Sequence, residues 1–293
     1  MKRKSISKIN NKISVVIVTY NSSKYVNNLI KSLHLVQNYI SEILIIDNNS
    51  KDVDQITLSP SCTLIKQTDN LGFAKAANIG IKKSKNNLIL LINPDCLLKN
   101  KSIIETINKI QINPKIGIIG GKIIDLNSKQ QRFTANSKAT FLTGLFEFTN
   151  LKKIFPNNKF SKKFWIENEY YKTKELNVNS LCGAYLIIRK YLKGQINLFD
   201  ERYFLYLEDM DIGDKVNKLG YKVVFDPNSE ILHIGGASSD SKYRIVLPYW
   251  YDSRKQYFKK HLKKWEFLIL NIVFTLEEKF LEIYHKIKGE PYV

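Results

Sequence analysis

The run ISVVIVTY at 13–20 is dominated by β-branched residues and hardly alternates between apolar and polar side chains. A strand of that kind hides both faces, so it belongs inside a sheet covered on two sides. Turn and N-cap residues Asn21-Ser22-Ser23 follow and open a helix to about residue 36. The pattern then repeats. Strands are expected at 42–46, 63–66 and 88–92, and a helix at 73–83, opened by Asn70-Leu71-Gly72. Strand–helix repetition with buried strands predicts an α/β fold, a mostly parallel sheet flanked by helices.

Such sheets bind ligands at the carboxyl ends of their strands. Here those ends carry Thr19-Tyr20-Asn21, Asp47-Asn48-Asn49 and Asn93-Pro94-Asp95. One polar cluster would be ordinary turn chemistry; three after buried strands point to a site. Residues 130–175 are less periodic and read either as part of a substrate site or as an irregular insertion. Regular structure resumes with a strand at 184–188, a helix at 209–219 and strands at 221–225 and 231–233. The last fifty residues look helical and basic.

Charge narrows the partners. Lys and Arg number 46 against 27 Asp and Glu, a formal net charge of +19 over 293 residues. That field favours phosphorylated ligands, an anionic membrane or nucleic acid. Cys62, Cys96 and Cys182 lack disulfide or zinc spacing, and the basic N-terminus is not followed by a signal-type apolar segment, so a reducing cytoplasm is expected. The apolar run at 267–276 is shorter than the roughly 20 residues needed to cross a bilayer. It reads as an in-plane membrane helix or as core packing.

Three places carry candidate chemistry. Asp95 directly follows a buried strand, with Pro94 fixing the turn, and is either a metal ligand or a helix cap. Glu208, Asp209 and Asp211 crowd the start of a helix, where one acidic cap is ordinary and three exceed what the helix dipole needs. His233 ends a short strand, and a lone histidine there is more often structural than a ligand.

Taken together the segments resemble glycosyltransferase family 2, in its rhamnosyltransferase-like branch. The matching pieces are SVVIVTYNS, IIDNNSKD, NLGFAKAANIG, LLINPD, CGAYLIIRK, FDERYFLYLEDMDI and GYKVVFDPNSEILHIGGAS, in order, from 14 to 238. The resemblance implies a GT-A type fold with a single Rossmann-like sheet. It divides the chain into a catalytic domain at 1–240 and a basic helical extension at 241–293. Within the former, 12–125 would bind the nucleotide sugar and 126–240 the acceptor and catalytic groups. It implies that Thr19, Tyr20, Asn21 and Asp47 form the nucleoside pocket, and that Asn70, Gly72 and Asn78 lie beside the diphosphate. Asn93 and Asp95 occupy the position of the family's Asp-x-Asp element, Asn93 replacing its first carboxylate, and His233 matches a second ligand for Mg²⁺ or Mn²⁺. Glu208 and Asp209 match the acidic pair, with Asp209 the general base and Asp211 a support of the helix start.

The resemblance implies inverting transfer of a sugar from a nucleotide-diphosphate sugar to a saccharide acceptor, expected to be polyprenyl-diphosphate-linked, in cell-surface polysaccharide synthesis. Rhamnose on deoxythymidine diphosphate is the first expectation, ahead of hexoses on uridine diphosphate. The aromatic and basic mixture around Tyr249-Trp250-Tyr251 and Trp265 suits a headgroup interface, so a peripheral position at the inner face of the cell membrane is expected, with Arg254 and its neighbours near the acceptor. A nucleotidyltransferase would carry a basic glycine loop after the first strand, which 19–23 lacks. A nucleic-acid-binding protein would not gather carboxylates 47, 95, 208 and 209 at one edge, so no nucleic acid is expected. A catalytically dead relative would have lost Asp95, Asp209 or His233.

Overall fold

The computed structural model describes residues 12–166, 175–194, 197–235 and 243–288. The first half runs β1 (Ile13–Thr19), α1 (Ser23–Leu33), β2 (Ile40–Asp47), β3 (Cys62–Lys66), α2 (Phe73–Lys83), β4 (Leu88–Ile92), β5 (Cys96–Leu97), α3 (Ile103–Ile112) and β6 (Ile116–Ile124). Then come β7 (Ala135–Asn136), the short helices α4 (Phe141–Glu147), α5 (Leu151–Ile154) and α6 (Lys159–Phe164), β8 (Leu176–Val178), β9 (Ser180–Leu181) and β10 (Tyr185–Arg189). The chain continues with α7 (Glu208–Lys218), β11 (Lys222–His233), α8 (Tyr243–His261) and α9 (Lys264–Ile287).

Nine strands form one sheet in the order β3-β2-β1-β4-β10-β6-β11-β5, with β8 also on β11. β1 through β4 are mutually parallel, as are β6 and β11, while β10 runs antiparallel between β4 and β6. The expected covering on both faces is explicit in β1. Ile13, Val15 and Ile17 pack with α1 and α3, and Val16 and Val18 pack with α2 and α7. All seven β1 residues are buried, as the lack of alternation demands.

Two expectations change in detail. The first helix stops at Leu33 and continues as a tighter 3₁₀ turn over His34–Tyr39, interrupted at Val36. The two strands expected at 221–225 and 231–233 are one strand, β11, whose register against β6 slips between Asp226 and Glu230. The turn residues Pro227-Asn228-Ser229 make a bulge rather than a break. Gly121 on the facing strand allows it, because a Cβ there would lie 2.2 Å from the Ser229 carbonyl oxygen.

A third cluster lies outside the sheet. Phe148, Phe164, Met210, Tyr257, Phe258, Leu270 and Phe274 join α4, α6, α7, α8 and α9. The C-terminal helices therefore share a core with the start of α7. Ionic contacts fasten them further: Lys260 and His261 reach Asp211 at 2.8 and 2.7 Å, and Tyr257 donates to Asp214 at 2.6 Å. Asp211 thus supports the helix from α8. Among the described residues no helix is long and apolar enough to cross a membrane.

Candidate active site

At the edge assigned to the nucleoside, parallel register sets Thr19 beside Asp47 at the ends of β1 and β2. Asp47 is buried and accepts the Ser50 N–H with both oxygens, at 3.3 and 3.2 Å. Thr19 and Ser22 share a hydroxyl hydrogen bond of 2.8 Å. Asn21 takes a left-handed backbone, φ 50°, and its side-chain oxygen accepts the Lys51 N–H at 2.8 Å. Tyr20 is exposed. The two strand-end loops therefore brace one another. Asn48, absent from the sequence assignments, donates to the Gly72 carbonyl at 3.2 Å and leaves its own buried oxygen without a hydrogen-bond partner.

Gly72 and Asn78, expected beside the diphosphate, both contact the 199–204 segment. Gly72 has φ 80°, and a Cβ on it would lie 2.5 Å from the Phe204 carbonyl oxygen, which also accepts the Phe73 N–H at 2.8 Å. Its bare side faces the segment leading to α7. Asn78 is buried, donating to the Phe199 carbonyl and Glu201 and accepting the Phe199 N–H. These residues hold the 199–204 segment against α2, and their side-chain or Cα faces are taken up in doing so. Asn70 closes a local turn, accepting the Gly72 N–H at 3.1 Å.

Asp95, Cys96 and His233 bring one ligand atom each within 4.8 Å of one another. β5 pairs antiparallel with the end of β11, placing Cys96 opposite His233. His233 Nε2 lies 3.3 Å from an Asp95 oxygen. The other ring nitrogen is held by Gln131. The Gln131 amide donates to the His233 carbonyl at 2.9 Å, which fixes its orientation, so its oxygen faces Nδ1 at 2.9 Å and can only accept. In the neutral ring, Nδ1 therefore carries the proton and Nε2 turns a lone pair toward the carboxylate. A cation or proton between the two satisfies both. Burial and Asp95 push the Cys96 thiol well above its ordinary pKa, and it donates to the Ala184 carbonyl at 3.4 Å. It stays a thiol, leaving one carboxylate and one imidazole. Such a hard donor set fits Mg²⁺ or Mn²⁺ completed by diphosphate oxygens and water. Asn93 caps the turn through its backbone, donating to Ala184 and accepting from Cys96. Its side chain hydrogen-bonds to no described residue.

The stretch 182–184, whose Ala184 meets Asn93, also reaches the acidic pair. Gly183 donates its N–H to Asp209 at 3.0 Å, and Met210 donates to the other oxygen at 2.8 Å. Cys182 is pushed up to about 12 by burial and by Asp209, Glu208 and Asp95, so its sulfur senses both carboxylate groups. Residues 182–184 thus tie the Asp95 turn to the start of α7. Burial raises Glu208 to about 8, with Asp209 adding to the effect, while one Glu208 oxygen is buried without a hydrogen-bond partner. Burial raises Asp209 as well, but its two backbone donors favour the charged form. Of the pair, Asp209 ionises first and Glu208 keeps the proton. Tyr206 and Leu207, immediately before them, both have positive φ, 73° and 65°. Neither is glycine, and such left-handed backbone costs about 1–2 kcal/mol per residue, strain that collects where a turn must aim a functional group.

Beside Asp209 opens a cavity of about 340 Å³. Phe133, Phe148, Trp165, Tyr206 and Trp250 give it aromatic walls, and Glu147, Glu208, Cys182 and Lys152 also line it. Trp250 stacks on Phe148 at 5.6 Å and 9°. Of the buried polar atoms in its lining, Trp165 Nε1 and Glu208 Oε2 lack hydrogen-bond partners, and Glu147 Oε2 lies 3.6 Å from an Arg132 nitrogen. Residues 130–166, irregular in sequence, supply much of this wall. A second cavity of about 200 Å³ shares Phe148, Lys152 and Trp250 and adds Lys153 and Arg254. Arg254 is 1% exposed, its guanidinium bonded to the Phe148 carbonyl, Glu277 and Glu278. It is a strut between α8, α9 and the end of α4.

Residues 14–173 match the family described as glycosyl transferase family 2. The chain belongs to glycosyltransferase family 2. This family 2 enzyme is 27% identical over 235 residues to the N-acetylglucosaminyl-diphospho-decaprenol L-rhamnosyltransferase of Mycobacterium tuberculosis, covering 75% of each chain. Its fold is similar to that of GalNAc-T7 solved with UDP, GalNAc and Mn²⁺ (TM-score 0.56, 18% identity, 86% of this chain and 50% of that one). It is also similar to the mannosyltransferase PcManGT of Pyrobaculum calidifontis in complex with GDP-Man and Mn²⁺ (TM-score 0.55, 13% identity, 85% of this chain and 63% of that one). The chain thus spans half to two thirds of those two structures, and the likeness establishes the GT-A fold. The enzyme is a glycosyltransferase that takes its sugar from a nucleotide-sugar donor.

Proposed function

We propose that this enzyme transfers rhamnose, with inversion, from deoxythymidine-diphosphate rhamnose to a saccharide carried on a polyprenyl diphosphate, at the inner face of the cell membrane, in cell-surface polysaccharide synthesis. One observation carries the saccharide acceptor: a cavity beside Asp209 with aromatic walls and two unpartnered buried polar atoms, Trp165 Nε1 and Glu208 Oε2. Buried polar atoms without partners cost about 1–3 kcal/mol each, so hydroxyl or amide groups of a ligand would relieve them while the rings cover its apolar faces. Lys152 and Lys153, in the adjoining cavity, pair with no acidic side chain among the described residues and suit the acceptor's diphosphate. The relative from Mycobacterium tuberculosis supports both the sugar and the carrier.

In this mechanism Asp209, steadied by the Gly183 and Met210 N–H groups, takes the proton from the acceptor hydroxyl. The hydroxyl oxygen attacks the anomeric carbon from the face opposite the diphosphate, which departs with its bonding electrons. Asp95 and His233 would hold Mg²⁺ or Mn²⁺, which supplies charge neutralisation to the departing diphosphate. Gln131 keeps the His233 Nε2 lone pair free for it. Thr19, Tyr20, Asn21, Asp47 and Asn70 form the donor side. The test is transfer assayed with deoxythymidine-diphosphate rhamnose and uridine-diphosphate hexoses against a short-chain prenyl-diphosphate N-acetylglucosamine, with Mn²⁺ or with chelator. Rhamnosyl product that needs Mn²⁺ is expected. Transfer from a uridine-diphosphate sugar alone would reassign the donor, and full activity in chelator would remove the metal.

A further inference from the structure

Helix α9 has two apolar faces, and only one is used. Leu270 and Phe274 are fully buried in the third cluster, with Phe267 packed against it. On the opposite side Trp265, Ile269, Ile272, Leu276, Phe280 and Ile287 recur every one or two turns and are 47–81% exposed. At 1.5 Å per residue the helix is about 36 Å long. Exposed apolar surface on that scale marks an interaction site.

Charge says what covers it. At 100° per residue, Lys264, Lys279 and Lys286 fall along one border of the stripe, with Glu282 the one carboxylate among them. None of the three pairs with an acidic side chain among the described residues. Glu277 and Glu278 turn away from it, bound to Arg254 and Lys255. Beside α9, α5 adds Ile154 and Phe155, 67% and 51% exposed, next to Lys152 and Lys153. The Asn150 N–H, donated to Glu277, keeps α5 against α9. A second copy docking through this face would bring lysine borders together. A bilayer would accept the apolar stripe while its anionic headgroups neutralised the lysines, and α9, too polar to cross, would lie in the interface.

We infer that the outer face of α9, with the tip of α5, is the surface by which this enzyme docks on an anionic lipid bilayer. This rests on the lipid-linked acceptor reading and gives it a geometry. The smaller cavity is lined by Leu281 and Glu277 of α9 and by Lys152 and Lys153, and it shares a wall with the cavity beside Asp209. A lipid diphosphate at the membrane surface would thus sit one cavity away from the base.

The test uses the full chain and the double variant Ile272→Glu/Leu276→Glu, whose side chains are exposed and outside the active site. Both are floated with phosphatidylcholine vesicles with and without phosphatidylglycerol, and sized by light scattering. Wild type should float with the anionic vesicles, the variant should lose at least about tenfold of that binding, and both should retain transfer to a short-chain, water-soluble acceptor. Equal flotation of the two would overturn the proposal. So would a wild type that ignores vesicles and elutes as a dimer dissolved by the variant. Vesicle binding that persists while no prenyl-diphosphate acceptor is glycosylated would retain the docking surface and reject the acceptor.

Discussion

The two sides of the reacting centre are built in opposite ways. Around the ends of β1 and β2, polar side chains are largely satisfied by backbone N–H groups of the facing loops, Asp47 by that of Ser50 and Asn21 by that of Lys51, while Asn48 keeps one buried oxygen unpartnered. Around the cavity beside Asp209 the walls are aromatic, come from short helices and from α8, and leave Trp165 Nε1 and Glu208 Oε2 without hydrogen-bond partners, with Glu147 Oε2 3.6 Å from Arg132. The first arrangement is a polar frame closed mostly on itself. The second is a desolvated space whose polar atoms a ligand could complete.

Experiments can break that contrast. The largest effect is expected at the boundary. Asp209→Asn should lower kcat roughly 10²–10⁴-fold with nucleotide affinity by calorimetry unchanged; weak donor binding would move Asp209 to the donor frame. Next, Arg254→Met should cost about 3–5 kcal/mol in urea unfolding, because it removes the charge partner of Glu277 and leaves Glu278 with Lys255 alone. Gln131→Ala should weaken Mn²⁺ binding about 10–100-fold, read by the Mn²⁺ paramagnetic resonance signal without any turnover. Unchanged affinity would leave Gln131 a purely structural clasp.

The smallest effect is in pH. Glu208 holds its proton up to about pH 8, and Asp209 is raised beside it. The base is ionised on the alkaline side, so kcat/KM should rise with pH along a limb belonging to the pair. Glu208 is still neutral when Asp209 ionises, so Glu208→Gln should leave that limb in place, and a limb that moved to lower pH would reveal a charge on Glu208. The stability sign follows from the raised folded value. Glu208 binds its proton more tightly folded than unfolded, so its contribution is present in acid and lost as pH rises through about 8. The variant should therefore gain in melting temperature over wild type above pH 8 and differ little near pH 4.

How much of this was legible follows the same division. The strands of the donor half announce themselves because burial on both faces forces β-branched runs, and α2 spans the expected 73–83. Asp95 and His233 do meet, as the family resemblance implied, through the short pairing of β5 with β11. Gln131 gave no signal, lying in a segment without period. Gly183 acts through its backbone, which composition does not report. The family resemblance placed Gly72 and Asn78 beside the diphosphate without showing what else they touch. What they touch depends on where residues 199–204 fold back, a contact across more than a hundred positions. The acceptor walls were opaque for a related reason: aromatic residues in short helices carry no periodicity, and α9 mixes two apolar faces into one run.

The run 182–184 has one more consequence. Ala184 accepts from the turn of Asp95, and Gly183 donates to Asp209. A backbone shift at this stretch would be felt at the Asp95 turn and at Asp209 alike, so the two carboxylates are coupled through three consecutive residues rather than through any side chain of their own.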